Sequence, residues 1–276
     1  MEHMALTIFS ICIQVAIGIM VFVAIGRLMN KEAVYKNAML TAAILGIVGV
    51  LASLQHLGRP LSALKSLNQF GSSWLSREIW FTAIFIGLTI VAVALVYAKP
   101  QVKEAITGLS TVAALVGLVD VYMMAAIYSQ SSVAVWQNNS TLIEFYATAI
   151  SMGAVLFLLV SMKEAANMRK IVALTVGVAV IIQVAAVVPS LVSMSASSSG
   201  ALQSSLSILE DMQLVSVMKW LCILAGAGIA LWMAKDESTK AFSSTVLSVA
   251  ILLTVGQVVG RYVFYAVMVV SGVGLT

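Results

Sequence analysis

Eight long runs of apolar residues determine the folds that are open to this protein. Of its 276 residues, 61% are hydrophobic and 9% are charged, whereas a soluble domain has about 25% charged residues. A helical run of about 20 apolar residues matches the hydrocarbon thickness of a bilayer. The sequence therefore predicts an all-α integral membrane bundle, one domain over 1–276. Its eight transmembrane helices are predicted at roughly 5–28, 38–55, 79–98, 105–128, 142–162, 171–192, 214–234 and 241–270.

The positive residues are distributed unequally between the two sides of this predicted bundle. The connections after the odd-numbered spans hold ten of them: Arg27, Lys31, Lys36, Lys99, Lys103, Lys163, Arg169, Lys170, Lys235 and Lys240. The other side holds three, Arg59, Lys65 and Arg77. Because cytoplasmic loops carry the excess of Lys and Arg, both termini are predicted to be periplasmic, in a bacterial cytoplasmic (inner) membrane. No basic stripe or phosphate loop accompanies the charges, so no nucleic-acid partner is predicted.

The connections indicate an internal repeat. Those after spans two and six are much longer than the others, and they begin and end 137 residues apart. This spacing predicts two four-helix bundles related by a parallel pseudo-repeat, with halves at 1–130 and 140–276. The second long connection, "SMSASSSGALQSSLSILEDM" at 193–212, is small and polar without Lys or Arg. It is predicted to be a flexible outer segment that rests on a partner.

The cysteine and histidine counts argue against several cofactors. The sequence has two cysteines, Cys12 and Cys222, in different spans, whereas an iron–sulfur cluster is usually held by four thiolates. Its two histidines are His3, near the terminus, and His56, so two haem ligands at membrane depth are not supplied. The protein itself is therefore predicted to hold no haem, no iron–sulfur cluster and no metal.

Five ionisable residues lie in the predicted outer halves of the spans: Glu78, Asp120, Glu144, Lys219 and Arg261. Charges at membrane depth are costly and mark functional sites by default. Each also has a structural interpretation. Glu78 follows Ser76, which could cap the third helix; Asp120 and Glu144 could join helices; Lys219 and Arg261 could extend to the interface. His56 could merely bond a loop carbonyl.

Two segments resemble a known family. "HLGRPLSALKSLNQFGSSWLSREI" at 56–79 closely resembles the second outer segment of the membrane-anchor subunit of respiratory dimethyl sulfoxide reductases. "GQVVGRYVFY" at 256–265 is similar to that family's glycine-x-x-x-glycine-arginine segment, with a tyrosine four residues after the arginine. The eight spans, the predicted outer termini and the total length also agree, so the resemblance covers essentially the whole sequence.

The resemblance implies a role in anaerobic respiration. A member of this family anchors a molybdopterin catalytic subunit and an iron–sulfur electron-transfer subunit, and oxidises menaquinol for them. The family's quinol-site histidine and glutamate fall on His56 and Glu78, which are the implied catalytic residues. The implied quinol-binding residues are His56, Gly58, Arg59, Pro60, Asn68, Glu78, Arg261 and Tyr265.

Several alternatives stay open at this stage. Glu78 is either a proton acceptor or a partner of Arg261, because either role suits a carboxylate beside a quinol. A haem-free anchor of a polysulfide or nitrite reductase has the same number of spans. A secondary transporter would also have a pseudo-repeat, although it should show helix breaks at mid-membrane, and the three prolines, Pro60, Pro100 and Pro189, are expected at helix ends. The sequence identifies neither the terminal electron acceptor nor the oligomeric state.

Overall fold

The structure, a computed structural model, describes residues 2–55, 67–235 and 242–270. Its helices are α1 Glu2–Met29, α2 Lys36–Gln55, α3 Trp74–Ala98, α4 Lys103–Ser129, α5 Asn139–Val160, α6 Arg169–Ser195, α7 Gly200–Asp211, α8 Gln213–Met233 and α9 Phe242–Ala266. All of these except α7 are long and apolar enough to cross a membrane. The predicted all-α bundle of eight membrane-spanning helices is therefore confirmed, and no strand occurs in the described ranges.

The spanning helices pack as two rings of four. Helices α1 to α4 contact one another in order, and α4 closes the ring on α1. Helices α5, α6, α8 and α9 form the second ring, and α1 joins the rings by packing against α5. Small residues allow this central contact: a Cβ atom on Gly18 would lie 1.9 Å from the carbonyl oxygen of Ala149. Close backbone approach at glycine is a common way to pack membrane helices. The pseudo-repeat remains a prediction, which the matching order of the two rings supports.

The sixth span and its connection differ from the sequence analysis in two details. The segment after the span contains a helix that was not expected, α7 at Gly200–Asp211, while its flexibility and its contact with a partner stay predictions. Leucine and isoleucine alternate with serine in this segment in an amphipathic pattern that the sequence analysis did not recognise. Helix α7 packs against α6 and α8. In addition, Pro189 lies inside α6 and not at its end. Proline within a membrane helix is tolerated where neighbouring helices satisfy the freed backbone groups.

The two ends of the bundle differ in their connections. We call the end with 30–35, 99–102 and 161–168 the basic face, because it carries most of the lysines and arginines. We call the end with 67–73, 130–138 and 196–212 the opposite face. The basic face is organised around Arg27, which is buried and donates to Thr107 Oγ1 at 3.1 Å and to the carbonyl oxygens of Ala33 at 2.8 Å and Lys103 at 3.0 Å.

Candidate functional site

Glu78 lies near the start of α3, at the opposite face. The helix begins after Ser73, whose extended backbone and side-chain oxygen cap it by accepting from the backbone N–H of Ser76. Ser76 is therefore inside the helix, and the interpretation that it caps α3 was wrong. As a result Glu78 is one turn further into the helix than a dipole-stabilising residue would be, and only 5% of it is exposed. A buried carboxylate at this place needs an explanation other than helix capping.

Thr82 and Asp120 lie next to Glu78 in the interior. Thr82 is one turn below Glu78 on α3, and its Oγ1 donates to Asp120 Oδ2 on α4 at 2.8 Å. Asp120 is fully buried, and its Oδ1 has no hydrogen-bond partner among the described residues. The expected helix-to-helix contact of Asp120 is present, but it uses only one of the two carboxylate oxygens.

Two tyrosines join the two rings beside this acidic pair. The hydroxyl groups of Tyr128 on α4 and Tyr265 on α9 are 3.0 Å apart and hydrogen-bonded. Trp136, in the connection between α4 and α5, donates from Nε1 to the carbonyl oxygen of Phe264 at 2.9 Å. Tyr128 lies about two turns after Asp120 on α4. Through its hydrogen bond to Tyr265, the structure therefore links the helix of Asp120 to the second ring.

Arg261 lies one turn before Tyr265 and is buried rather than extended to the interface. Its guanidinium carbon is 3.6 Å from the ring centre of Phe145, and its Nη2 donates to Gln14 Oε1 on α1 at 3.0 Å. The Nε of Arg261 and the Nε2 of Gln14 have no hydrogen-bond partner among the described residues. Within these residues Arg261 also forms no ion pair with Glu78. Glu78 is thus free of the arginine contact that the sequence left open.

We use the name acidic cluster for Glu78, Thr82, Asp120, Tyr128 and Tyr265. A second, neutralised cluster lies in the other ring. There Lys219 Nζ on α8 pairs with Glu144 Oε1 on α5 at 2.9 Å, and both side chains are mostly buried. Lys219 was expected to extend to the interface, and this was wrong because Glu144 holds it inside. A cavity of ≈ 100 Å³ borders the pair.

The remaining predicted site residues fall into two groups. His56, Gly58, Arg59 and Pro60 lie outside the described residues. Asn68 lies in a short 3₁₀ helix, Leu67–Gln69, directly before α3, and it is exposed. The backbone N–H of Ser73 donates to the carbonyl oxygen of Gln69 at 2.9 Å, so this turn fixes the entry into α3. Asn68 is therefore at the surface end of the site and not in its buried part.

Sequence reasoning missed the role of several neutral residues. Tyr128, Thr82 and Gln14 were not singled out, because a lone polar residue in an apolar span has no local pattern that marks a site. One signal was present for Tyr128: it precedes Tyr265 by 137 residues, the offset of the predicted repeat. In the described part of the protein no group of His, Cys, Asp and Glu could hold a metal ion.

Comparison with known proteins identifies the family. The family described as "DMSO reductase anchor subunit (DmsC)" matches residues 1–267. The protein is 26% identical over 278 residues to the YnfH subunit of an anaerobic dimethyl sulfoxide reductase of Escherichia coli, covering 98% of this sequence and 96% of that one. It is 28% identical over 280 residues to the C subunit of the Escherichia coli anaerobic dimethyl sulfoxide reductase, and 27% over 279 residues to that of Haemophilus influenzae, with the same coverage. The protein therefore belongs to the DMSO reductase anchor subunit family, as its sequence motifs predicted.

Proposed function

We propose that this anchor subunit oxidises menaquinol at the opposite face and passes the electrons to an iron–sulfur partner subunit. The opposite face is then periplasmic, as the distribution of lysine and arginine predicts for a bacterial cytoplasmic membrane. A molybdopterin subunit reduces the terminal acceptor. The observation that supports this best is Glu78: a buried carboxylate at the end of the bundle, in no described ion pair, at the start of the helix that follows the "HLGRP" segment.

The chemistry of quinol oxidation explains why such a group is useful. Removing two electrons from menaquinol also releases two protons, so each hydroxyl group needs an acceptor within hydrogen-bond reach. Glu78 accepts one proton, and His56, whose ordinary titration range suits this task, accepts the other. His56 enters from the family resemblance. Gly58, Arg59 and Pro60 enter as quinol-binding residues from the same resemblance.

Arg261 and Tyr265 contribute hydrogen-bond donors from the second ring. The Nε of Arg261 is buried without a partner among the described residues, and such an atom is usually explained by a water or a ligand. Phe145 holds the guanidinium from one side. In the proposed site, these donors face a quinol oxygen whose negative character grows as its proton leaves.

The test separates quinol oxidation from assembly. His56→Ala and Glu78→Gln are each expected to leave the complex assembled and active with a soluble viologen donor, while menaquinol oxidation is lost. Glu104→Gln is the matched control, since Glu104 is an exposed glutamate at the basic face. Loss of the viologen-linked activity together with quinol oxidation would show that these residues are needed for structure instead.

Partner identity is tested by purification. A complex isolated through this subunit should contain a molybdenum protein and a ferredoxin-like subunit, and its optical spectrum should show no b-type haem band from this subunit. An anchor of a polysulfide or nitrite reductase would bring different partners. A secondary transporter would bring neither. A transporter should also show helix breaks at mid-membrane, and among the described spans α6 alone contains an internal proline, Pro189.

A further inference from the structure

Two carboxyl groups on neighbouring helices lie together in the acidic cluster. Glu78 on α3 and Asp120 on α4 are both buried, and Thr82, one turn after Glu78, donates from Oγ1 to Asp120 Oδ2 at 2.8 Å. The ion pairs among the described residues are Lys31–Glu104, Lys103–Glu32 and Lys219–Glu144, and neither carboxyl group belongs to one of them. Among the described residues, Tyr128 follows Asp120 by about two turns on α4, and its hydroxyl group is hydrogen-bonded to that of Tyr265.

Two adjacent buried carboxylates without a cation do not both ionise, because each charge opposes the other and neither is well solvated. Because no cation among the described residues pairs with either group, the pair is expected to carry at least one proton in the folded state. Such pairs titrate together, and the proton belongs to the pair rather than to one residue. The pair is placed where a proton acceptor is needed for the function proposed above.

The second ring shows that a hydrogen bond between buried helices does not need a carboxyl group. Gln257 lies 137 residues after Asp120, at the equivalent place of the predicted repeat. Its amide accepts from Thr148 Oγ1 at 3.0 Å and donates to Gln183 Oε1 at 3.0 Å. An amide is thus sufficient for a hydrogen bond between buried helices at this depth. Asp120, in contrast, has an oxygen without a partner among the described residues, so the carboxyl group needs a further explanation.

We propose that Asp120 and Glu78 share one proton, and that Asp120 is a positioning residue for quinol oxidation that acts through Glu78. This proposal rests on the proposed function. Before turnover the pair holds one proton and one negative charge. As two electrons leave menaquinol for the iron–sulfur partner, Glu78 accepts the proton of one hydroxyl and His56 that of the other. The carboxyl pair then holds two protons, and before the next quinol binds the pair and His56 each release one proton to the opposite face.

Asp120→Asn tests the proposal because asparagine keeps the oxygen that accepts from Thr82 but cannot exchange a proton. We expect kcat for menaquinol oxidation to fall at least about tenfold, within the range that one proton-transferring group contributes. KM for the quinol and the viologen-linked activity should stay nearly unchanged. The pH profile of kcat should lose one titration step. A wild-type kcat in Asp120→Asn would overturn the proposal.

Thr82→Val supplies the complementary variant, since it removes the hydrogen bond and keeps the carboxyl group. If Asp120 acts by its proton, kcat falls much less in this variant than in Asp120→Asn. The reverse order would mean that the hydrogen bond, not the proton, matters, and would overturn the proposal. Thr148→Val is the matched control, because Thr148 is also a buried threonine that donates to a buried side chain, but in the second ring.

Infrared spectroscopy gives a test that does not depend on turnover. The assembled complex should show the carbonyl band of a protonated carboxylic acid, which shifts in Thr82→Val and disappears in Asp120→Asn. A redox-difference spectrum without any such band would overturn the shared proton even if Asp120→Asn failed to assemble. The outcomes also separate the two proposals. Menaquinol oxidation by Glu78→Gln would contradict the proposed function itself, whereas an inactive Glu78→Gln with a fully active Asp120→Asn contradicts only the role of Asp120.

Discussion

Each end of this bundle buries an arginine, and the two arginines differ in their hydrogen-bond partners. At the basic face Arg27 has an acceptor for each of its three nitrogens, from Thr107, Ala33 and Lys103. At the opposite face Arg261 packs on the ring of Phe145 and donates to Gln14, and its Nε has no partner among the described residues. The hydrogen bonds of Arg27 are thus complete, whereas Arg261 has a donor left over.

The difference indicates which end handles a substrate. Buried polar groups in folded proteins are nearly always paired, because an unpaired one costs about 1–3 kcal/mol. Gln14, Asp120 and Arg261, towards the opposite face, each have one buried polar atom without a partner among the described residues, whereas at the basic face the hydroxyl group of Ser161 is the one such atom in that part of the protein. Donors and acceptors without protein partners are what a hydroxylated or carbonyl-bearing ligand requires. The basic face has the features of a structural clamp instead.

The largest effect is expected at this clamp. Arg27→Met removes the donors from three acceptors at once, and each buried acceptor left unpaired costs about 1–3 kcal/mol. The subunit should then fail to accumulate in the membrane, and membrane-bound viologen-linked and quinol-linked activities should both be lost. Quantitative blotting of membranes and the two assays measure this. Lys31→Gln is the control, because Lys31 is exposed at the same face and its ion pair contributes little.

Arg261→Gln should act more selectively. The variant loses the cation over Phe145 and the donors proposed to meet a quinol oxygen, so kcat/KM for menaquinol should fall about 10- to 100-fold. Arg261→Lys should recover little, since an ammonium lacks the planar guanidinium that stacks on the ring. The subunit should still assemble. Lys36→Gln is a matched control, because it removes a cation over the ring of Tyr97 at the basic face. Equal losses in the two variants would remove the distinction between the ends.

The sequence predicted the framework well and the partners of the buried charges poorly. The apolar runs predict eight spans, because the length of an apolar segment can be read directly from the sequence and compared with the thickness of the bilayer. Whether Lys219 extends to the interface or pairs with Glu144 depends on how α8 faces α5, which no local pattern encodes. The same holds for Tyr128 and Tyr265, whose contact forms between rings. The position of the cap also matters: because Ser73 and not Ser76 caps α3, Glu78 lies beyond the first turn of the helix and is buried.

A smaller effect is expected in the neutralised cluster. Lys219→Met leaves Glu144 without its cation. The two side chains are 10% and 18% exposed, so water still reaches them. The free energy of unfolding should therefore fall by about 1–3 kcal/mol, less than for a fully buried pair. The thermal midpoint of the complex should fall, while menaquinol oxidation per assembled complex stays unchanged. Adding Glu144→Gln should restore part of the midpoint, which a double-mutant cycle measures. An unchanged midpoint in Lys219→Met would mean that the ion pair contributes nothing.

The smallest expected effect is a change in the membrane potential during turnover. It depends on where the buried charged residues lie along the bundle. In the described residues the buried charged side chains are Glu78, Asp120, Lys219 and Arg261, together with Arg27 at the basic face. Arg27 is held by three acceptors and is not a proton carrier. The described part of the protein therefore offers no series of ionisable groups through the membrane, which proton translocation would need.

Turnover is accordingly expected to move no net charge. If quinol releases its protons at the opposite face and the catalytic partner consumes protons on the same side, neither electrons nor protons cross the bilayer. Sealed vesicles that contain only this complex, supplied with a menaquinol analogue and an oxidant, should give no response from a potential-sensitive dye. A potassium gradient with valinomycin provides the positive control for the dye. A response that an uncoupler abolishes would show that charge crosses the membrane during turnover, and it would then require either a proton path from the basic face or catalytic partners on the cytoplasmic side.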